Sequence, residues 1–170
     1  MLSTDFSQLC CNQRFSDVII RCGLEVFPAH KNILSARSSV FAEMLGNTPN
    51  DSKLSINDLE PTVMKAVLLY IYSGKTDLTT FQSTYDLLSA ADRFCLNELK
   101  IIAINYIKRS LTVENVFECF YECKALQSYA LEFMSKNFSL VKDTKQWEEF
   151  KQCRPDLITQ LHEQSRKFFK

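Results

Sequence analysis

Two short blocks constrain this chain more than any other stretch: Phe15-Ser16-Asp17-Val18-Ile19-Ile20, and then Phe27-Pro28-Ala29-His30-Lys31-Asn32-Ile33-Leu34-Ser35-Ala36-Arg37-Ser38. The first reads as an apolar strand over Asp17 to Arg21, and Gly23 offers the turn that ends it. Leu24 to Phe27 reads as a second strand, and Ala29 to Arg37 as a helix. No side chain in this run stands where a neighbour would activate it as a nucleophile or an acid–base group.

The remaining pattern is mixed at first and then wholly helical. Leu2, Phe6 and Leu9 recur at i, i+4 and i+7, which predicts one helical stripe ahead of the first strand. Val40 to Leu45 predicts a short helix, Gly46 to Asp51 a loop, and Lys53 to Ile56 a half-buried strand by its alternation. Pro61 suits the first turn of a helix whose apolar face is Val63, Val67, Leu68 and Ile71, and Gly74 suits its end. Helices follow at Phe81 to Ala91 and Leu96 to Lys108. A second unit is expected from residue 110, opening on a helix capped by Thr112 and lined by Val113, Val116, Phe117 and Phe120. Tyr129 to Phe138, Asp143 to Phe150 and Pro155 to Phe169 supply further helices. The expected division is 1–109 and 110–170, an α+β domain followed by an all-α extension.

Charge and length exclude several classes. Lys+Arg and Asp+Glu both number 20, which leaves no net charge to attract nucleic acid or an anionic membrane. The longest apolar run, Ala66 to Tyr72, is far short of the ~20 residues of a membrane helix. Seven cysteines, an odd number without a framework, fit a reducing compartment, nuclear or cytoplasmic. No cofactor is expected, since Gly23, Gly46 and Gly74 form no phosphate-cradling loop.

Taken in order, Phe-Ser-Asp-Val, Pro-Ala-His-Lys, Ala-Arg-Ser-Ser-Val-Phe, Ile-Asn-Asp-Leu-Glu-Pro, Leu-Tyr-Ile-Tyr-Ser-Gly and Leu-Leu-Ser-Ala-Ala-Asp resemble a BTB/POZ domain over residues 15–109. Leu111-Thr112-Val113-Glu114-Asn115-Val116 looks like the first helix of a BACK or 3-box extension. Trp147 with Arg154-Pro155-Asp156-Leu157 is similar to the short C-terminal form in speckle-type POZ proteins. Those proteins carry a substrate-binding MATH domain upstream, absent from these 170 residues. A substrate protein would thus bind through a domain not present here.

The resemblance implies a homodimer packed through its first helices, at Leu2, Phe6, Leu9 and Ile33, with Asp17 and His30-Lys31 in a charged cluster beside the seam. An apolar stripe outside a compact domain needs covering, and a twofold partner supplies the cover. Folding back onto its own domain is the competing arrangement. The resemblance also implies docking of the cullin-3 N-terminal region, as a substrate adaptor of a ubiquitin ligase. The family places there an apolar residue, any residue and Glu; here the loop reads Pro49-Asn50-Asp51 and is shorter. Met44 and Leu45 stand as alternative apolar contacts, with Tyr121 on the flanking helix, while Phe117 and Phe120 are assigned to the core. A dimeric scaffold for transcriptional or structural complexes, without any cullin, is the other reading. An enzyme is the third class, and no catalytic or metal-ligating residue is nominated. Cys119 and Cys123 share a helix face and are read as buried thiols. Cys10-Cys11 beside the seam is exposed to intermolecular disulfide formation on oxidation, which is read as an artefact and not a function.

Overall fold

The computed structural model describes the backbone of residues 2–47, 53–78 and 81–168, and their side chains except at 2–4, 81–83 and 164–168. The chain divides into two compact units, Met1–Tyr106 and Ile107–Lys170.

The first unit is built on three strands, β1 (Val18–Cys22), β2 (Glu25–Ala29) and β3 (Lys53–Ser55), in the order β2-β1-β3. β1 pairs antiparallel with β2, from Val18 opposite Ala29 to Cys22 opposite Glu25, and parallel with β3, Ile20 opposite Leu54. Successive strand residues face opposite sides. Val18, Ile20 and Cys22 accordingly point into the core with Phe27 and Ala29, while Ile19 stays outside. Gly23 takes the turn at φ 59, the left-handed region that residues with a side chain seldom adopt.

Helices accompany the sheet: α1 (Leu2–Ser7), α2 (Lys31–Arg37), α3 (Ser39–Asn47), α4 (Pro61–Ser73), α5 (Phe81–Arg93) and α6 (Asn97–Arg109), the last running on past the unit's end at Tyr106. α4 is the central one. Val63, Met64, Val67, Leu68, Tyr70, Ile71 and Tyr72 are all buried, because neighbouring elements cover it on more than one side. Pro61 opens α4, and Gly74 closes it at φ 69 with its N–H donated to the Tyr70 carbonyl at 2.7 Å.

The predicted stripe of the first helix needs correction. α1 ends at Ser7, and the chain then winds through turns in which the N–H groups of Leu9, Cys10 and Asn12 donate to the carbonyls of Phe6, Ser7 and Leu9. Asn12 Nδ2 takes the Gln8 carbonyl at 3.1 Å, and Cys11 sits at φ 56, so helical bonding cannot run on. Leu9 therefore packs half-buried against its own core. The Leu2 side chain lies outside those described.

In the second unit, α7 (Val116–Glu122) leads through a 3₁₀ turn to α8 (Gln127–Lys136), α9 (Phe138–Val141), α10 (Lys145–Cys153) and α11 (Pro155–Phe168). α7 starts three residues later than a Thr112 cap predicts. Asn115 explains the delay: its side chain accepts the Thr112 N–H at 2.7 Å and donates to the Ser110 carbonyl at 3.0 Å, holding 110–115 as a turn. The core is aromatic. Phe150, fully buried, lies 5.5 Å from Phe117, 5.2 Å from Phe120 and 5.9 Å from Trp147 between ring centres. Thr144 caps α10, accepting the Trp147 N–H.

Candidate interaction surface

A groove of about 520 Å³ opens where α1, α2 and the end of α4 meet. Phe6 and Ile33 stand on its walls with Ala36 and Arg37, over Ile71, Tyr72 and Gly74. Phe6 is 41% exposed, a large ring left partly in water beside an apolar recess. The structure thus brings together two of the predicted dimer residues, Phe6 and Ile33, in this groove, while Leu9 packs half-buried against the core outside its lining. Arg37, Ile71 and Gly74 join the groove without having been nominated from the sequence. Their signal was faint, since Ile71 and Gly74 were legible only as a helix face and its end.

Beneath the groove a polar cluster fixes the register of β2, α2 and α4. His30, 6% exposed, donates its backbone N–H to the Tyr72 hydroxyl oxygen at 2.9 Å. Its ring Nδ1 lies 2.8 Å from the same oxygen, and Nε2 lies 2.8 Å from the Arg14 carbonyl. A carbonyl only accepts, so Nε2 carries the hydrogen there. Nδ1 is then free to accept the Tyr72 hydroxyl hydrogen, and every polar atom in the cluster is served. Burial pushes the Tyr72 phenol well above its ordinary value.

Asp17 acts locally. Its Oδ1 accepts the Lys31 N–H at 2.8 Å, at the start of a helix whose N-cap, His30, makes no side-chain capping bond. The carboxylate thus supplies a cap from another element, where the helix dipole favours negative charge. Ser38 does the same for α3: its hydroxyl accepts the Phe41 N–H at 3.2 Å and donates to the Phe94 carbonyl at 2.7 Å. On the far side of Arg37, whose guanidinium lies 5.9 Å from the Tyr70 ring centre, Tyr70 donates to Glu98 at 3.1 Å.

The residues expected to meet cullin-3 differ in burial. Leu45 is 6% exposed and belongs to the core, while Met44 packs against that core half-buried. Pro49, Asn50 and Asp51 lie outside the described residues. Tyr121, in the second unit, is 47% exposed. Cys119 and Cys123 are buried there. Among the described residues no three His, Cys, Asp or Glu side chains gather as a metal site, and no helix is long and apolar enough to cross a membrane.

Comparison with known proteins matches this architecture. The BTB/POZ domain model covers residues 6–111. TD and POZ domain-containing protein 5 of Mus musculus is 31% identical over 167 residues, 93% of this chain and 49% of that protein. TD and POZ domain-containing protein 1 of the same species is 30% identical over 169 residues, 94% and 46%. The chain therefore spans about half the length of the curated relatives it matches. Among solved structures, the BTB domain of zebrafish PATZ1 superposes with a TM-score of 0.54 at 28% identity, over 64% of this chain and 86% of that one. The BTB domain of human Gigaxonin gives 0.54 at 30% identity, over 62% and 86%. With its α+β first unit and this run of matches through residue 111, the chain belongs to the BTB/POZ domain family.

Proposed function

We propose that this chain is a homodimeric interaction module that docks the cullin-3 N-terminal region as substrate adaptor of a RING ubiquitin ligase. BTB/POZ domains are protein-interaction and dimerisation modules, and the seam here is read as the Phe6–Ile33 groove. One observation carries the dimer: a half-exposed Phe6 beside an apolar recess of about 520 Å³. A twofold axis through such a patch covers both copies with the same residues. Each large apolar side chain so buried contributes about 1.5–3 kcal/mol before the cost of association. Two linked copies present two partner sites, which raises effective concentration without any further contact.

The test is direct. Phe6→Asp with Ile33→Asp should give a monomer by light scattering, with the circular dichroism of the parent. A folded double variant that keeps the dimer mass removes the groove from the seam. For the ligase part, calorimetry against the cullin-3 N-terminal region should give submicromolar binding at one cullin per protomer. Pro49→Met with Asp51→Glu should tighten it.

A second reading, a dimeric scaffold for transcriptional or structural complexes without cullin, is favoured by Leu45. Spent on the core, that side chain is not available to a partner's pocket. A well-folded dimer with no calorimetric signal would select this reading. In the ligase reading the substrate is met by a domain outside this chain. A nuclear or cytoplasmic setting, where thiols stay reduced, suits both.

A further inference from the structure

We propose that Cys10 and Cys11 are a redox-active vicinal dithiol, which exchanges with the disulfides of small thiols and closes reversibly to a disulfide within one chain. Neighbouring side chains normally point apart, to opposite faces in a strand and around the axis in a helix. Here the two Sγ atoms are 3.7 Å apart. The backbone enforces the approach: Cys11 sits at φ 56, inside the run of turns that follows α1. Both side chains are half-buried against the core, which holds them together while leaving one side reachable.

The surroundings favour a thiolate on one of the two. The Cys10 hydrogen bond lowers the Cys11 pKa, partly opposed by burial, and the positive charge of Lys65 adds a smaller lowering. The same bond, with burial, raises Cys10. An exchanging pair needs this asymmetry, one sulfur to attack and a second to resolve. No other cysteine is so placed. Cys22 is buried and donates to the Leu59 carbonyl at 3.0 Å, Cys119 and Cys123 are buried, and Cys95 and Cys153 are exposed elsewhere.

The step balances with a symmetrical disulfide such as glutathione disulfide as oxidant. The Cys11 thiolate attacks one sulfur, the S–S bond breaks, and one glutathione thiolate leaves. Cys10 then gives up its proton, attacks Cys11 Sγ and expels the second glutathione. Two protein thiols are oxidised and one disulfide is reduced to two thiols. Adjacent Cα atoms are only about 3.8 Å apart, below the roughly 4.4 Å at which unstrained disulfides begin. The ring is therefore strained and easily reopened, which suits a switchable bond rather than a structural one.

Incubating the full chain with glutathione disulfide, alkylating the free thiols and digesting with trypsin tests this. The fragment ending at Arg14 carries both thiols and no other cysteine. It should come out lighter by two hydrogens and unalkylated, and dithiothreitol should restore two alkylation sites. In Cys10→Ser, Cys11 should hold a stable glutathionyl group. In Cys11→Ser, reaction at Cys10 should slow by about tenfold or more. A fragment that stays doubly alkylated would overturn the proposal. So would equal rates in the two variants, or a cross-link between two chains.

Discussion

In the first unit the Tyr72 hydroxyl meets His30 across 42 residues of chain, and the Ser38 hydroxyl meets the Phe94 carbonyl across 56. In the second unit Phe150 meets the rings of Phe117, Phe120, Tyr121 and Trp147, while bonds such as Asn115 to Ser110 and Gln127 to Phe120 span seven residues or fewer. Directional bonds between distant elements demand one alignment, because a displaced partner leaves a buried polar atom unserved. Ring contacts hold as much or more area but tolerate small slides. The unit bearing the groove is thus the one whose elements are pinned by hydrogen bonds, and the helical unit is held by apolar volume.

Four substitutions bear on that contrast. Phe150→Ala should have the largest effect, about 3–5 kcal/mol, since the cavity left among four rings cannot close fully. Trp147, the single tryptophan, reports it: its fluorescence should shift red at lower denaturant. An unchanged midpoint would mean the ring cluster is not what holds the second unit.

Tyr72→Phe removes one oxygen and no volume. It leaves the His30 N–H without its acceptor, for about 1–3 kcal/mol in chemical denaturation. If the loss is negligible, register in the first unit is set by packing after all, and the contrast fails. Ser38→Ala should cost about 1–2 kcal/mol, because the α3 cap and the Phe94 carbonyl lose their partner together. Ser38→Thr should recover part of it.

Asp58→Asn should have the smallest effect, one that disappears in acid. The Arg93 side chain holds the Asp58 carboxyl below its ordinary 3.8. A carboxylate depressed by folding stabilises above its unfolded value, and that contribution fades as pH falls through the folded one. The variant should be slightly less stable than the parent at neutral pH and low salt, and the two should converge as the pH falls below 3.8. Equal acid limbs in a pH series of thermal melts would assign the pair no role.

Much of the fold was legible beforehand for identifiable reasons. Gly23 and Gly74 marked a turn and a helix end because those positions need positive φ, and Pro61 marked a helix start because its missing N–H costs nothing there. The alternation in 18–22 gave the inner face of β1. The errors came where a side chain competed locally with the helix. Asn12 ended the first helix early and pulled Leu9 off its stripe, and Asn115 delayed α7 past Thr112. Of the predicted dimer residues, Phe6 and Ile33 share a groove, while the walls added by Arg37 and Ile71 carried no motif of their own.

Periodicity, turn chemistry and motif order were enough to determine the family, the element order and the absence of any charge bias, since these depend on neighbours in the chain. The tertiary structure alone decided which apolar residues are spent on the core and which are left outside. Leu45 looks as available as Phe6 in the sequence, yet Leu45 is buried in the core and Phe6 remains half in water. It also decided that Asp17 caps α2, and that Cys10 and Cys11 face each other. Such pairings depend on how elements distant in sequence, or a single left-handed residue, turn side chains in space, and no pattern of neighbours encodes that.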